Sequence, residues 1–202
     1  MHERVQLAGR TFVVARPDAV DPLSDDPHLG GSTASQVYQP YWAALWPTAR
    51  LLAEVILKER WAEETRALEI GCGLGLPGLA GLAAGLHVTF SDVDAAALRY
   101  VAESVRLNNL DSYQLLHMDW HTPPTDLRVP VLLASDLFYE SSQVEPIAGL
   151  VGRVLEPGGL CLLADRDRVE RSLIDTAFAR HGLSFRAERL TDEATLYRIK
   201  RD

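Results

Sequence analysis

The sequence predicts an α/β fold: a Rossmann-like, doubly wound sheet of seven strands, mostly parallel, with an antiparallel hairpin strand at its C-terminal end. Three observations lead there. From Arg66 onward, short apolar runs alternate with segments of helical period, the pattern of a parallel sheet covered on both faces. A glycine-rich stretch, Ala67 to Gly78 (ALEIGCGLGLPG), lies where the first such run meets the first such helix. The last two apolar runs, Phe185 to Leu190 and Thr195 to Ile199, are joined by Thr191-Asp192-Glu193, too short for a crossover, and read as a hairpin.

Taken in order, strands are expected at 66–70, 87–91, 113–117, 129–135 and 159–164, with helices at 76–85, 94–108, 144–155 and 167–181. Gly85 and Gly182 suit left-handed caps, and Asn108-Asn109 closes the second helix. Val144, Ile147, Val151 and Val154 recur at helical spacing and should face the sheet. Glu156-Pro157-Gly158-Gly159 reads as a turn. Ahead of the sheet, Pro47-Thr48 opens a helix whose Leu51, Leu52, Val55 and Ile56 share a face, expected to lie across the sheet edge. Residues 1–40 are set apart as a hairpin from Val5 to Val14 followed by an acidic flap from Pro17 to Gly31; residues 41–202 form the single main domain.

Composition narrows the function. A chain of 202 residues with 47% hydrophobic content supports one substantial core. The net charge of −8 argues against nucleic acid and favours a cationic substrate. Cys72 lies in the glycine loop and Cys161 in a buried run, so no structural disulfide is expected and a cytoplasmic setting follows. No apolar run reaches bilayer length and no leader is visible, so neither membrane association nor export is expected. The histidines are scattered without ligand spacing, which gives no metal site, and Ser135 lacks the glycine pattern of a nucleophile elbow. A monomer is expected.

The glycine loop is a cofactor cradle, and its spacing leaves two ligands open. Gly73-x-Gly75-x-x-Gly78, with Asp92 downstream, matches the dinucleotide fingerprint, so an NAD(P)-dependent oxidoreductase is one reading. Glu69 favours the other: a carboxylate near the first turn repels a pyrophosphate, whereas S-adenosylmethionine (SAM) carries an amino group and a sulfonium. Pro77 suits the first helical turn under either reading.

Leu68-Glu69-Ile70-Gly71-Cys72-Gly73-Leu74-Gly75 resembles the first motif of class I, seven-β-strand SAM-dependent methyltransferases. Ser91-Asp92-Val93-Asp94 resembles the end of that family's second strand, and Met118-Asp119-Trp120 its adenine-bordering segment. The resemblance implies SAM as cofactor, held by Trp46, Glu69, Gly71, Gly73, Gly75, Asp92, Val93, Asp119, Trp120 and Ser135, with Asp92 on the ribose, Trp120 over the adenine and Trp46 beside the methionine end; Trp42 is a weaker candidate. Asp136-Leu137-Phe138-Tyr139 resembles the D-x-x-Y motif of a subgroup rich in protein-lysine methyltransferases. With Tyr41-Trp42-Ala43-Ala44-Leu45-Trp46-Pro47, it is similar to electron-transfer-flavoprotein β-subunit lysine methyltransferases over Tyr41 to Asp202.

That resemblance makes Asp136 and Tyr139 the catalytic candidates and implies methylation of a protein lysine, with a small amine as the alternative substrate and a non-catalytic SAM-binding scaffold as a third reading. Methyl transfer needs alignment and exclusion of water more than acid–base groups. A lysine nucleophile must still lose a proton, which costs roughly 4–5 kcal/mol at pH 7 from a reference pKa of about 10.4. A carboxylate such as Asp136 favours the ammonium, so it is assigned to capture and orientation of the nitrogen.

Overall fold

The computed structural model describes residues 1–18 and 41–201. Most of the expected acidic flap, including Asp21, Asp25 and Asp26, lies outside the described residues.

An antiparallel hairpin, β1 (His2–Leu7) and β2 (Arg10–Ala15), comes first, followed by helix α1 (Pro47–Lys58). The main sheet is built from β3 (Arg66–Ile70), β4 (His87–Asp92), β5 (Tyr113–His117), β6 (Val129–Ser135), β7 (Leu155–Arg166), β8 (Leu183–Thr191) and β9 (Ala194–Arg201). Helices α2 (Leu76–Ala83), α3 (Ala95–Leu107), α4 (Val144–Val154) and α5 (Arg171–Arg180) connect them. The strand order is β5-β4-β3-β6-β7-β9-β8, parallel from β5 to β7, with β9 antiparallel to both its neighbours. The seven-stranded sheet and its antiparallel insertion are those expected.

Strand alternation sorts side chains into two cores. Ala67, Val131, Leu133, Leu162, Ala164 and Leu196 face α1, α2, α3 and the hairpin, whereas Leu68, Ile70, Leu132, Ala134, Cys161, Leu163 and Ile199 face α4 and α5. On α1 the buried stripe is Ala49, Leu52, Ala53 and Ile56, spaced i, i+3, i+4, i+7. That helix packs beside α2 on the sheet face over β6 and β7, not across an edge, because its stripe is too apolar to leave half uncovered. In α4, Val144, Ile147, Val151 and Val154 are buried as their spacing requires.

In the main domain two boundaries differ from expectation by more than two residues. The Glu156-to-Gly159 segment does not end the strand: β7 starts at Leu155, opposite Val129, and resumes pairing at Leu160, opposite Val131, so the turn residues are absorbed as a bulge with Gly158 at φ +75°. At the other end β7 runs on to Arg166 and α5 starts only at Arg171, because Asp165 and Arg166 pair with Thr195 and Ala194 of β9.

The hairpin is stitched to α3. Asn108 accepts the Val13 N–H at 2.9 Å and donates to Val13 O and Ser104 O at 2.7 Å each, and Ser104 Oγ accepts the Ala15 N–H at 2.9 Å. Val5, Leu7, Phe12 and Val14 complete the core on that side. Among the described residues no helix is long and apolar enough to cross a membrane.

Candidate active site

Where strand order reverses around β3, the carboxyl ends of β3, β4 and β6 open onto a crevice, the usual ligand position in such sheets. A cavity of about 480 Å³ fills it. Its floor is the loop from Gly71 to Leu76; Asp92 and Val93 form one wall, Ser135, Asp136, Leu137 and Tyr139 the other, and Tyr41, Trp42 and Trp46 lie toward α1.

The loop follows from its glycines. Gly71, Gly73 and Gly75 have φ of +56°, +50° and +73°, a region costly for other residues, and Gly75 caps α2. The space a Cβ would need is already taken by protein: Trp42 O would lie 3.2 Å away at Gly73, and Val101 Cγ2 2.8 Å away at Gly75. At Gly71 the Cβ would meet Leu137 at 2.9 Å and Trp120 at 3.2 Å.

Asp92 ties this loop to the next one. Its Oδ2 accepts the Gly73 N–H at 2.8 Å and its Oδ1 the Asp94 N–H at 2.9 Å, while Asp94 caps α3 by accepting from Ala96 N–H. Burial raises the Asp92 pKa, and the two N–H donors oppose the rise.

Glu69 and Asp119 take other places. Glu69 is buried beneath the loop, off the cavity wall, and its Oε2 accepts the Gly78 N–H at 2.9 Å. Burial pushes its pKa well up, with the Gly78 bond opposing and the Asp92 charge adding. The Gly78 N–H in the first turn of α2 is therefore already taken by a side chain of the protein itself, which removes that donor from the pyrophosphate of the dinucleotide reading. Asp119 lies off the wall as well, with its carboxylate on the N–H and ring of His121. Trp120 does line the cavity, and its Nε1 is buried with no hydrogen-bond partner among the described residues; the same holds for Trp42 Nε1.

Asp136 has φ +58°, a strained conformation for a residue with a side chain, held by its N–H bond to Ala164 O at 2.9 Å. Its side chain is 4% exposed. Arg168 donates to Oδ1, Arg166 Nε lies 3.4 Å from the same atom, and Oδ2 is buried with no partner among the described residues. Tyr139 is 45% exposed at the mouth, its ring nearly parallel to that of Tyr41 at 6.3 Å. Burial raises its pKa, and Glu140 adds to the rise. Trp46 donates from Nε1 to Tyr41 O at 2.9 Å, and the Arg166 guanidinium lies over its ring at 5.3 Å.

The crevice thus gathers Trp46, Gly71, Gly73, Gly75, Asp92, Val93, Trp120, Ser135, Asp136 and Tyr139. Sequence reasoning missed Arg166 and Arg168, and also Asp165, which is 1% exposed and accepts the Phe138 N–H at 2.7 Å. Burial raises Asp165 to about 7. Extending the strand-end rule to the fifth parallel strand would have found all three.

A family model described as lysine methyltransferase matches residues 32–180. The chain belongs to the lysine methyltransferase family. Among its relatives, the histone-arginine methyltransferase METTL23 of Rattus norvegicus is 30% identical over 141 residues, covering 66% of this chain and 63% of that protein. The histidine protein methyltransferase 1 homolog of Dictyostelium discoideum is 31% identical over 107 residues, covering 50% of this chain and 35% of that protein. The fold is shared with the T. thermophilus 16S rRNA methyltransferase RsmC, in complex with AdoMet and guanosine, at TM-score 0.72 and 17% identity over all of this chain and 50% of that one. The chain therefore spans well short of the full length of these proteins.

For a lysine methyltransferase the cofactor to be accommodated is SAM, and the residues fit it. The cavity has small-ligand size, Asp92 lines it with lone pairs beyond those its two N–H partners use, suited to accept from ribose hydroxyls, and Trp120 carries an indole N–H that lacks an acceptor among the described residues.

Proposed function

We propose that this chain is a SAM-dependent N-methyltransferase that modifies a basic side chain of a protein, with lysine as the first candidate. The observation that carries the reading is Asp136: a buried carboxylate at the end of β6, across the crevice from the glycine loop, with one oxygen left without a partner among the described residues. Such an acceptor suits an N–H of an incoming amine or guanidinium. The family description names lysine, while the two relatives are named for arginine and histidine; the shared chemistry is a side-chain nitrogen of a protein.

When bound, SAM supplies a methyl group on a sulfonium, ready for in-line attack. In this reading Asp92 and Trp120 hold the adenosine end, and the 71–75 loop fixes its position. Asp136 orients the acceptor nitrogen through an N–H bond, and Tyr139 and Tyr41 flank it at the mouth, where rings accept cations. Aligning the partners and excluding water provide most of the rate. Glu69 acts through the loop, by holding Gly78 and so the start of α2. The exposure of Tyr41 and Tyr139, at 66% and 45%, supports a mouth open to a protein side chain over a closed metabolite pocket.

The test is transfer of labelled methyl from SAM into a fractionated lysate, with Asp136→Ala in parallel. Label in a discrete protein band that vanishes with the variant is the expected result. Label confined to small molecules would replace the substrate class, and SAM binding without transfer would leave a scaffold.

A further inference from the structure

Charged side chains from the end of β7 converge on Asp136. Arg168 donates from Nη2 to Asp136 Oδ1 and stands 3.5 Å from Asp165 Oδ1, and Arg166 Nε lies 3.4 Å from Asp136 Oδ1. The two oxygens of Asp136 are therefore unlike: Oδ1 meets two guanidinium groups, and Oδ2 is buried with no partner among the described residues. Arg168 itself lines the cavity.

This asymmetry bears on a conflict within methyl transfer. A lone carboxylate draws in a cationic side chain and orients it, but it also stabilises the protonated form, and the attacking nitrogen needs its lone pair free. We infer that Arg168 is a positioning residue that resolves this conflict: its guanidinium anchors and neutralises one oxygen of Asp136, so that the other orients the acceptor nitrogen without retaining its proton. That proton passes to water at the exposed mouth before the lone pair attacks the methyl and the methyl–sulfur bond breaks. The inference rests on the methyltransferase reading above.

Among the described residues, the charged and titratable groups around Asp136 are Asp165, Arg166 and Arg168 from β7 and the turn after it, Tyr139 and Glu140 on its own loop, and Tyr41 from the segment before α1. Arg166 and Arg168 face Asp136 with two positive charges, while Asp165, lifted to about 7, carries only part of its charge near neutrality. Loss of Arg168 removes one positive charge from beside Asp136 and shifts the balance toward the ammonium. A clamp that only tied the Asp136 loop to β7 would give a loss independent of pH.

The experiment measures kcat and KM over roughly pH 6 to 10, with labelled SAM and two acceptor probes, total ribosomal protein and core histone. Wild type, Arg168→Met, Arg168→Lys and Arg166→Gln are compared, with calorimetric binding of S-adenosylhomocysteine (SAH) as the check on folding. In Arg168→Met the inflection of kcat is expected to move up by about one pH unit, an approximately tenfold loss near neutrality that disappears at high pH, with KM not raised. Arg168→Lys returns the inflection toward wild type, and Arg166→Gln shifts it in the same direction by less. That last variant decides the matter if Arg168→Met no longer binds SAH. A loss equal at every pH, a change in KM alone, or no advantage of lysine over methionine overturns the inference while the methyltransferase reading stands. Absence of transfer by wild type to both probes overturns the protein-methyltransferase reading and the inference together.

Discussion

The Asp165 carboxylate accepts the Phe138 backbone N–H at 2.7 Å, so the end of one strand holds the loop that leaves its neighbour. The acid is 1% exposed and is lifted by burial to about 7, with the Phe138 bond opposing the rise and the Asp136 charge adding to it. Its unfolded pKa is about 3.9. Between these values the folded chain binds the extra proton, so stability falls as pH rises from about 4 to 7 and stays reduced above. Glu69 and Asp92, also raised, act with the same sign. Asp165→Asn keeps an acceptor for Phe138 and removes the buried charge. It is expected to flatten the pH dependence of stability, which urea unfolding at mildly acidic and mildly alkaline pH would measure; an unchanged slope would refute the assignment.

Gly78→Ala pits two effects against each other. Alanine improves helix propensity by about 1 kcal/mol. The added Cβ would lie 2.2 Å from Phe90 Cε1 and 2.5 Å from Glu69 Oε2, both on buried side chains. Overpacking costs roughly 1–3 kcal/mol, so net destabilisation is expected, read as a lower urea midpoint together with weaker SAH binding.

Asp92→Ala removes the acceptors of the Gly73 and Asp94 N–H groups along with the proposed ribose contact. SAM and SAH affinity should fall at least about tenfold, the equivalent of one charge-assisted hydrogen bond. Calorimetry that finds affinity unaltered would remove Asp92 from the cofactor site.

Asn108→Ala deletes the side chain that bonds both polar groups of Val13 and the Ser104 carbonyl. A loss of about 1–3 kcal/mol is expected, accompanied by faster proteolysis within residues 1–18. If the hairpin behaved as an independent appendage, unfolding of the main domain would not change.

The glycine loop was legible because left-handed backbone leaves few residues to choose from, and α4 because Val144, Ile147, Val151 and Val154 keep strict helical spacing. The arginines were not. In sequence Asp165 and Arg166 fall between an expected strand and an expected helix, and Asp167 and Arg168 read as the start of that helix. The meaning of this segment arises only when β7 pairs with β6, Ser135 opposite Ala164, and sets it beside Asp136. Glu69 shows the reverse case: its place before the glycines marked it as a cofactor contact, whereas its carboxyl lies off the cavity wall and accepts from Gly78, a partner that depends on how α2 folds back over the strand. The position of α1 on the sheet face was likewise a tertiary matter, since an amphipathic stripe states that a helix is covered without saying by what.

The placement of β9 between β7 and β8 has a consequence for how the chain matures on the ribosome. Among the strands of the described residues β9 is made last, yet β7 and β8 meet only through it. Until it emerges, β7 presents an open edge and Asp165 and Arg166 lack the partners, Thr195 and Ala194, that set their register. The cofactor crevice at β3 and β4 can form early in synthesis. The charge cluster around Asp136 is set by the pairing of β6 with β7 but is held on its other side only once β9 pairs, so its fixation comes later in synthesis than that of the cofactor cradle.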